Sequence, residues 1–188
     1  MTEFMYELRV PKDRVAVLIG KDGKVKKEIE LDTKTKISID SKEGDIFITG
    51  EDALGLYNAR EVVKAVGRGF NPEVALLLLK PDYSFEMIDV QEYAGKSKEK
   101  LLRLKGRVIG EEGKSRRIIE ELTESYVSIY GKTVSVIGSI ESVAIAKQAI
   151  ESLLKGATHA SVYKFLEKKR RELKRIKLLG ESIEFKNN

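Results

Sequence analysis

Two stretches, Val17-Leu18-Ile19-Gly20-Lys21-Asp22-Gly23-Lys24 and Arg107-Val108-Ile109-Gly110-Glu111-Glu112-Gly113-Lys114, constrain the fold more than anything else in this chain. Each is an apolar run, a four-residue loop with glycine at both ends, and a lysine opening a basic amphipathic segment. The glycines recur 90 positions apart. One such loop is weak evidence for anything; two in register, with matching surroundings, mark a duplicated module. A period near 90 is too long for a solenoid repeat and suits two compact domains within 188 residues.

The flanking patterns supply the rest of each module. Met5 to Val10 alternates as a strand and stops at Pro11. Pro11-Lys12-Asp13 opens a helix with Val15, Leu18 and Ile19 on its apolar face. After the loop, a second helix starts near Lys24, with Val25 and Ile29 inward and Lys24, Lys26 and Lys27 outward. Lys36 to Asp40 and Asp45 to Gly50 form a hairpin, and Asp52 caps a helix to about Val66. The order β-α-α-β-β-α then repeats: a strand at Phe85–Val90, an insertion over Gln91–Lys98, a helix with Leu101, Leu102 and Leu104, the second loop, and a helix marked by Ile118, Ile119 and Leu122. A hairpin of Tyr126–Tyr130 and Thr133–Ile137 turns at Gly131-Lys132, two residues tighter than the first, and Ser139 starts a helix through Leu154. Between the modules, Val74 to Leu79 is apolar all round and reads as a helix wedged between domains and ended by Pro81. A final helix from about Ser161 to Leu179 carries an apolar seam of Val162, Leu166, Leu173 and Ile176. The domain expectation is 4–69, a linker over 70–82, 83–156, and a basic helix and tail over 157–188.

Paired glycines let the chain turn sharply and allow a sugar-phosphate backbone to approach the peptide. The next helix aims unpaired N–H groups and a positive dipole end at that backbone. Lys24 and Lys114 add charge there, with Lys27, Arg107, Arg116 and Arg117 beside them. Bases would turn toward an aliphatic groove, assigned to Val15, Ile19, Val25, Ile29 and Ile39 in the first module and to Ile109, Ile118 and Ile129 in the second. Such a groove takes about four unpaired nucleotides and excludes duplex RNA.

The order β-α-α-β-β-α with Ile-Gly-x-x-Gly-Lys at the first helix junction resembles the KH domain of the type usual in eukaryotes and archaea. The implied fold class is α+β, two tandem type I KH domains. The stretch from Phe85 to Gly156, followed by His159-Ala160-Ser161-Val162-Tyr163, resembles the small-subunit ribosome assembly factors of the partner-of-Nob-one family in their archaeal form. That resemblance implies binding of single-stranded rRNA at the 3′ end of the small-subunit rRNA, and partnership with the endonuclease Nob one and with the α subunit of translation initiation factor two. It implies RNA contacts from Ile19, Gly20, Lys21, Asp22, Gly23, Lys24, Lys27 and Ile39, and from Arg107, Ile109, Gly110, Glu111, Glu112, Gly113, Lys114, Arg116, Arg117 and Ile129. Glu111 and Glu112 depart from the family, whose second loop is usually partly basic. Two carboxylates beside a phosphate weaken binding unless they turn away or pair with Lys114, Arg116 or Arg117. Which module binds RNA more strongly stays open.

The net charge is +5, but Lys164–Lys177 holds eight basic and two acidic residues, so the remainder is slightly acidic. Any claim about nucleic acid therefore rests on placement, not on bulk charge. There is no cysteine and one histidine, His159, expected to be structural; no zinc site or nucleophilic triad can be assembled. The second loop lacks the earlier glycine of a phosphate-binding P-loop, since position 108 is Val108. Glu120-Glu121 suits salt bridges on its helix. We expect no enzyme, cofactor or metal. With no signal-like Met1-Thr2-Glu3-Phe4 start and no long apolar run, a cytoplasmic monomer is expected. Replacing Gly20 and Gly110 by Asp is expected to abolish RNA binding without unfolding. The competing reading is a protein-interaction adaptor that turns one module, the second with its acidic loop, toward a translation or processing factor.

Overall fold

Strand alternation broken by Pro11 and the paired glycines sets the observed order of elements. The computed structural model describes residues 4–184. The expectation for Met1-Thr2-Glu3 and the end of the expected tail, residues 185–188, lie outside the described residues. The first module runs β1 (Phe4–Arg9), α1 (Lys12–Ile19), α2 (Lys24–Thr33), β2 (Lys36–Asp40), β3 (Asp45–Gly50) and α3 (Ala53–Gly67). Its antiparallel sheet has the order β1-β3-β2. Asp52 caps α3, accepting from the Gly55 N–H at 2.7 Å. Leu18, Ile29, Ile46, Ile48 and Val62 are fully buried between sheet and helices.

The second module repeats this with β4 (Tyr83–Asp89), α6 (Lys98–Ile109), α7 (Lys114–Thr123), β5 (Tyr126–Tyr130), β6 (Thr133–Ser139) and α8 (Ile140–Leu154), sheet order β4-β6-β5. The insertion before α6 holds one turn of helix, α5 (Gln91–Ala94), and Ser97 then caps α6 through the Lys100 N–H at 3.2 Å. Of the three leucines expected on α6, Leu104 is buried and Leu102 is 67% exposed.

The duplication extends to single hydrogen bonds. Glu30 accepts from the Ile37 N–H at 2.7 Å, and Glu120 from the Val127 N–H at 2.8 Å. Each bond ties the end of a helix to the start of the next strand. Thr33 donates to the Ile29 carbonyl at 2.6 Å and meets Thr35 at 2.8 Å; Thr123 donates to the Ile119 carbonyl at 2.7 Å and meets Ser125 at 2.7 Å. Glu120 therefore does more than the expected salt bridge: one carboxylate oxygen pairs with Arg116 at 3.3 Å while the other positions β5.

The apolar stretch between the modules is not one helix. It is a turn of helix, α4 (Pro72–Ala75), followed by a tighter 3₁₀ turn over Leu76–Leu79. Ala75 and Leu78 are buried in the core that also takes Ile137 of β6, so the wedge is shared between modules. Phe70 meets Phe85 edge-on at 6.3 Å. Arg14 donates to the carbonyls of Val66 (2.9 Å) and Phe70 (2.7 Å), Ser128 to that of Arg68 (2.8 Å), and the Tyr130 hydroxyl to the Asp13 carboxylate (2.6 Å).

Burial and then the Asp13 hydrogen bond raise the Tyr130 pKa above its ordinary 10.0. The protonated phenol is the form that docks the modules. Its contribution is therefore full below pH 10 and fades as pH rises through the raised value. Tyr130→Phe should lower stability by about 1 kcal/mol at neutral pH, discounted for partial exposure. In thermal melts, the gap between the unaltered chain and the variant should close above about pH 10. A gap independent of pH would remove this hydrogen bond from the docking.

The last helix, α9 (His159–Glu184), is longer than expected. Val162 and Leu166 are buried against the second module and Leu173 is half-buried, but Ile176 is 65% exposed. The expected four-residue seam thus ends at Leu173. Among the described residues no helix is long and apolar enough to cross a membrane.

Candidate nucleic-acid interface

Both glycine loops adopt the same backbone. Gly20 and Gly110 end α1 and α6 at φ 72 and 74 with extended ψ, a conformation glycine alone takes easily. The following residues make a single 3₁₀ turn in which Asp22 and Glu112 are left-handed (φ 55 and 49), and Gly23 and Gly113 follow at φ 72 and 76. The two pairs of glycines do different work. A Cβ on Gly20 would meet Val25 Cγ2 at 2.5 Å, and one on Gly110 would meet the Ser115 amide nitrogen and Cβ at 2.6 Å. These glycines allow two helices to close on each other. A Cβ on Gly113 would meet nothing within 4 Å, so that side of the loop is open to a ligand. No side chain caps the N-terminus of α2 or α7, and the first N–H of each, at Lys24 and Lys114, donates to the Lys21 and Glu111 carbonyl, respectively, within the loop turn.

In the second module the loop borders a cleft of about 350 Å³ lined by Ile109, Glu112, Gly113, Arg116, Arg117 and Ile129. All six are expected RNA-contacting residues. Ile109, 37% exposed, and half-buried Ile129 form an apolar floor. Arg116 and Arg117 form one wall. Arg116 keeps an ion pair with Glu120, and Arg117 donates to the Glu112 carbonyl at 3.0 Å, bracing the loop. Lys114 is exposed at the helix start. The carboxylates of Glu111 and Glu112 are exposed and, among the described residues, have no ion-pair partner, so of the two ways left open for relieving them, pairing with Lys114, Arg116 or Arg117 is not the one taken.

The first module places the counterparts alike. Lys21, Asp22, Lys24 and Lys27 are exposed around the loop, and Ile19, Val25 and Ile39 are half-buried beside it. Lys26, the counterpart of Arg116, pairs with Glu30 at 3.7 Å.

Three sequence expectations need correction. Val15 (4% exposed) and Ile29 (0%) belong to the core and cannot line a groove, because their helix faces point at the sheet. Ile118 is half-buried and does not line the cleft. Arg107, expected to reach RNA, is turned the other way. Its guanidinium donates to the carbonyls of Leu153 and Ala157, while its own carbonyl meets His159 Nε2 at 2.8 Å. Arg107 and His159 together pin the start of α9 to the end of α6. The histidine is structural, with its ring 6.0 Å from Tyr163.

Sequence reasoning missed a second groove of about 410 Å³ between the modules, lined by Arg14, Asn71, Tyr126 and Tyr130 among others, which shares Arg116 and Ile129 with the first. Tyr126, an aromatic exposed at the start of β5, was the only signal for it. Among the described residues no group of three or more His, Cys, Asp or Glu side chains could hold a metal ion.

Comparison with known proteins agrees with this layout. A KH domain family matches residues 5–65, and a eukaryotic-type KH domain (KH-domain type I) matches residues 84–171. A KH domain-containing protein of Methanocaldococcus jannaschii is 53% identical over 90% of this chain and 76% of its own length. The RNA-binding protein pno1 of Dictyostelium discoideum is 28% identical over 86% of this chain and 70% of its own. Among solved structures, a chain of the a/eIF2alpha–aDim2p–rRNA complex from Pyrococcus horikoshii superposes with a TM-score of 0.83 at 46% identity, covering 90% of this chain and 96% of that one.

Proposed function

Because this chain belongs to the family of tandem KH-domain proteins that includes archaeal Dim2p and eukaryotic Pno1, we propose that it holds an unpaired segment of small-subunit rRNA near its 3′ end and presents it for processing. The observation that carries this reading is the cleft at the second loop, where an apolar floor, two arginines and a helix N-terminus without a side-chain cap meet around an open glycine turn. Phosphates would lie against Gly113 and the first turn of α7, and bases would rest on Ile109 and Ile129. The groove shared through Arg116 leads toward the first module, so one strand can run across both. The chain acts by holding rather than cutting, and a nuclease such as Nob one would do the cleavage. The Pyrococcus relative is named in a complex with a/eIF2alpha and rRNA, which supports the α subunit of initiation factor two as a partner here as well.

Anisotropy titration with a labelled 3′-terminal rRNA segment, the same segment in duplex form and a scrambled segment tests the proposal. The first is expected to bind more tightly than the other two, with no cleavage of that RNA in Mg²⁺. Equal binding of all three would overturn it. The loop carboxylates supply a second check. Glu111→Gln with Glu112→Gln should tighten binding by roughly threefold to tenfold at physiological salt, since two exposed like charges are removed from beside a phosphate. Unchanged affinity would mean that RNA does not pass this loop. Their exposed, unpaired state also favours a second reading, in which this loop meets a basic protein surface. Loss of a partner protein from the Gln variant, with RNA affinity intact, would select it.

A further inference from the structure

Helix α9 presents a second charged surface, and the cleft does not use it. Lys164, Lys168, Arg171 and Arg175 follow one another at intervals of four, three and four, so they fall within about 60° of one another around the helix and span about 16 Å along it. All four are exposed. They lie opposite Val162, Leu166 and Leu173, the face packed on the body, so the stripe points straight into solvent. Among the described residues Lys164, Arg171 and Arg175 have no ion-pair partner, and Lys168 reaches Glu172 only at 4.0 Å. Two carboxylates flank the stripe. Glu172 is already held by Lys169 at 2.8 Å, a hydrogen bond that lowers its pKa, and Glu167 lies on the other side. The segment holding the stripe carries the chain's whole excess of positive charge, since the remaining residues are slightly acidic.

The start of the helix that carries the stripe is fixed near the second glycine loop. His159 meets the carbonyl of Arg107, one turn before the second glycine loop. Further along, Arg170, Leu173 and Lys174 line a cavity with Leu122, Thr123 and Glu124 at the far end of α7. Helix α9 therefore starts near the loop and runs alongside α7 in the same direction. We propose that this face of α9 binds the phosphates of a double-helical RNA segment adjoining the single strand held in the cleft. The inference rests on the RNA-holding reading above for the identity of its neighbour. The chemistry favours a duplex over a further single strand. Single strands are gripped by stacking on aromatic or aliphatic platforms, and this face offers cations alone. Tyr163 and Phe165 are half-buried on its flanks, and Phe165 packs into the second module's core. A rigid row of cations without stacking groups suits sequence-independent contact along a phosphate backbone.

The test uses the full chain and the variant Lys164→Gln/Lys168→Gln/Arg171→Gln/Arg175→Gln. Each is titrated over a range of salt with three labelled RNAs: the 3′-terminal strand alone, the same strand joined to a hairpin, and the hairpin alone. The expected result is a tenfold or greater loss on the joined RNA and the hairpin. The slope of log affinity against log salt should fall by up to about 3 to 4 on those two RNAs, and the strand alone should change by less than about twofold. Equal loss on all three RNAs would overturn the proposal by making the stripe a general attractor. Unchanged binding of the hairpin-containing RNAs would overturn it as well. So would release of an acidic protein partner with RNA binding unaltered, which would assign the stripe to protein. If the unaltered chain failed to bind the strand but bound the hairpin through the stripe, the cleft reading would fall and the stripe would stand.

Discussion

A chain carrying Lys26→Gln, Lys27→Gln, Arg116→Gln and Arg117→Gln is expected to bind the unpaired 3′ rRNA segment about a thousandfold more weakly than the unaltered chain. Each cation lies at or beside a glycine loop, and Arg116 and Arg117 wall the cleft directly. Losing about 1 kcal/mol per cation gives a total near 4 kcal/mol, which is roughly three decades of affinity. The pairwise variants should show how the modules cooperate. With two linked sites, removing one converts an intramolecular second contact into none, so either pair alone should cost more than half the decades of the full set. Stability should barely move. Lys26 and Arg116 give up surface ion pairs with Glu30 and Glu120, and Glu30 and Glu120 keep their bonds to Ile37 and Val127. Affinity within tenfold of the unaltered chain, in a variant that melts normally, would remove both glycine loops from RNA binding.

The second large effect concerns stability. Gly110→Ala should destabilise the chain by about 2–4 kcal/mol, while Gly113→Ala should cost about 1 kcal/mol. At Gly110 a Cβ meets the Ser115 backbone nitrogen at 2.6 Å in a region of φ and ψ that side chains rarely enter, so the first turn of α7 must move away from α6. At Gly113 the same atom meets open space and only the left-handed φ opposes it. For a chain of this size the melting temperatures should differ by several degrees. Equal melting temperatures would mean that the close approach of Gly110 to Ser115 carries no energetic weight. This asymmetry also corrects the expectation that Asp at Gly20 and Gly110 would abolish binding without unfolding, because lost binding there would be confounded with lost packing. Asn at Gly23 or Gly113, which tolerates the left-handed region, is the cleaner probe of the open side.

Much of the architecture was legible because it is local. Pro11, Asp52, Ser139 and the four loop glycines are backbone instructions that act within a few residues, and strand alternation needs only its own period. The central apolar stretch was misjudged for a related reason. Six consecutive apolar residues from Val74 to Leu79 have no period, so nothing in them distinguishes one helix from a helical turn followed by a tighter one. The packing of Ala75 and Leu78 against a core shared by both modules makes that choice.

The same divide runs through the candidate site. The amino-acid order alone determined that there are two like modules, that each has a glycine-bounded helix junction, and that the second junction is acidic, because spacing and residue type are properties of the chain. Tertiary structure alone decided which aliphatic residues face a ligand. Val15 and Ile29 are on the same helices as Ile19 and Val25, yet a rotation of each helix on the sheet buries the first two and leaves the others at the edge. It also decided that Arg107 braces α9 while Arg116 and Arg117 wall the cleft. An arginine's reach is long enough to serve either side, and only the carbonyls of Leu153 and Ala157, brought close by a helix more than forty residues downstream, settle which way it turns.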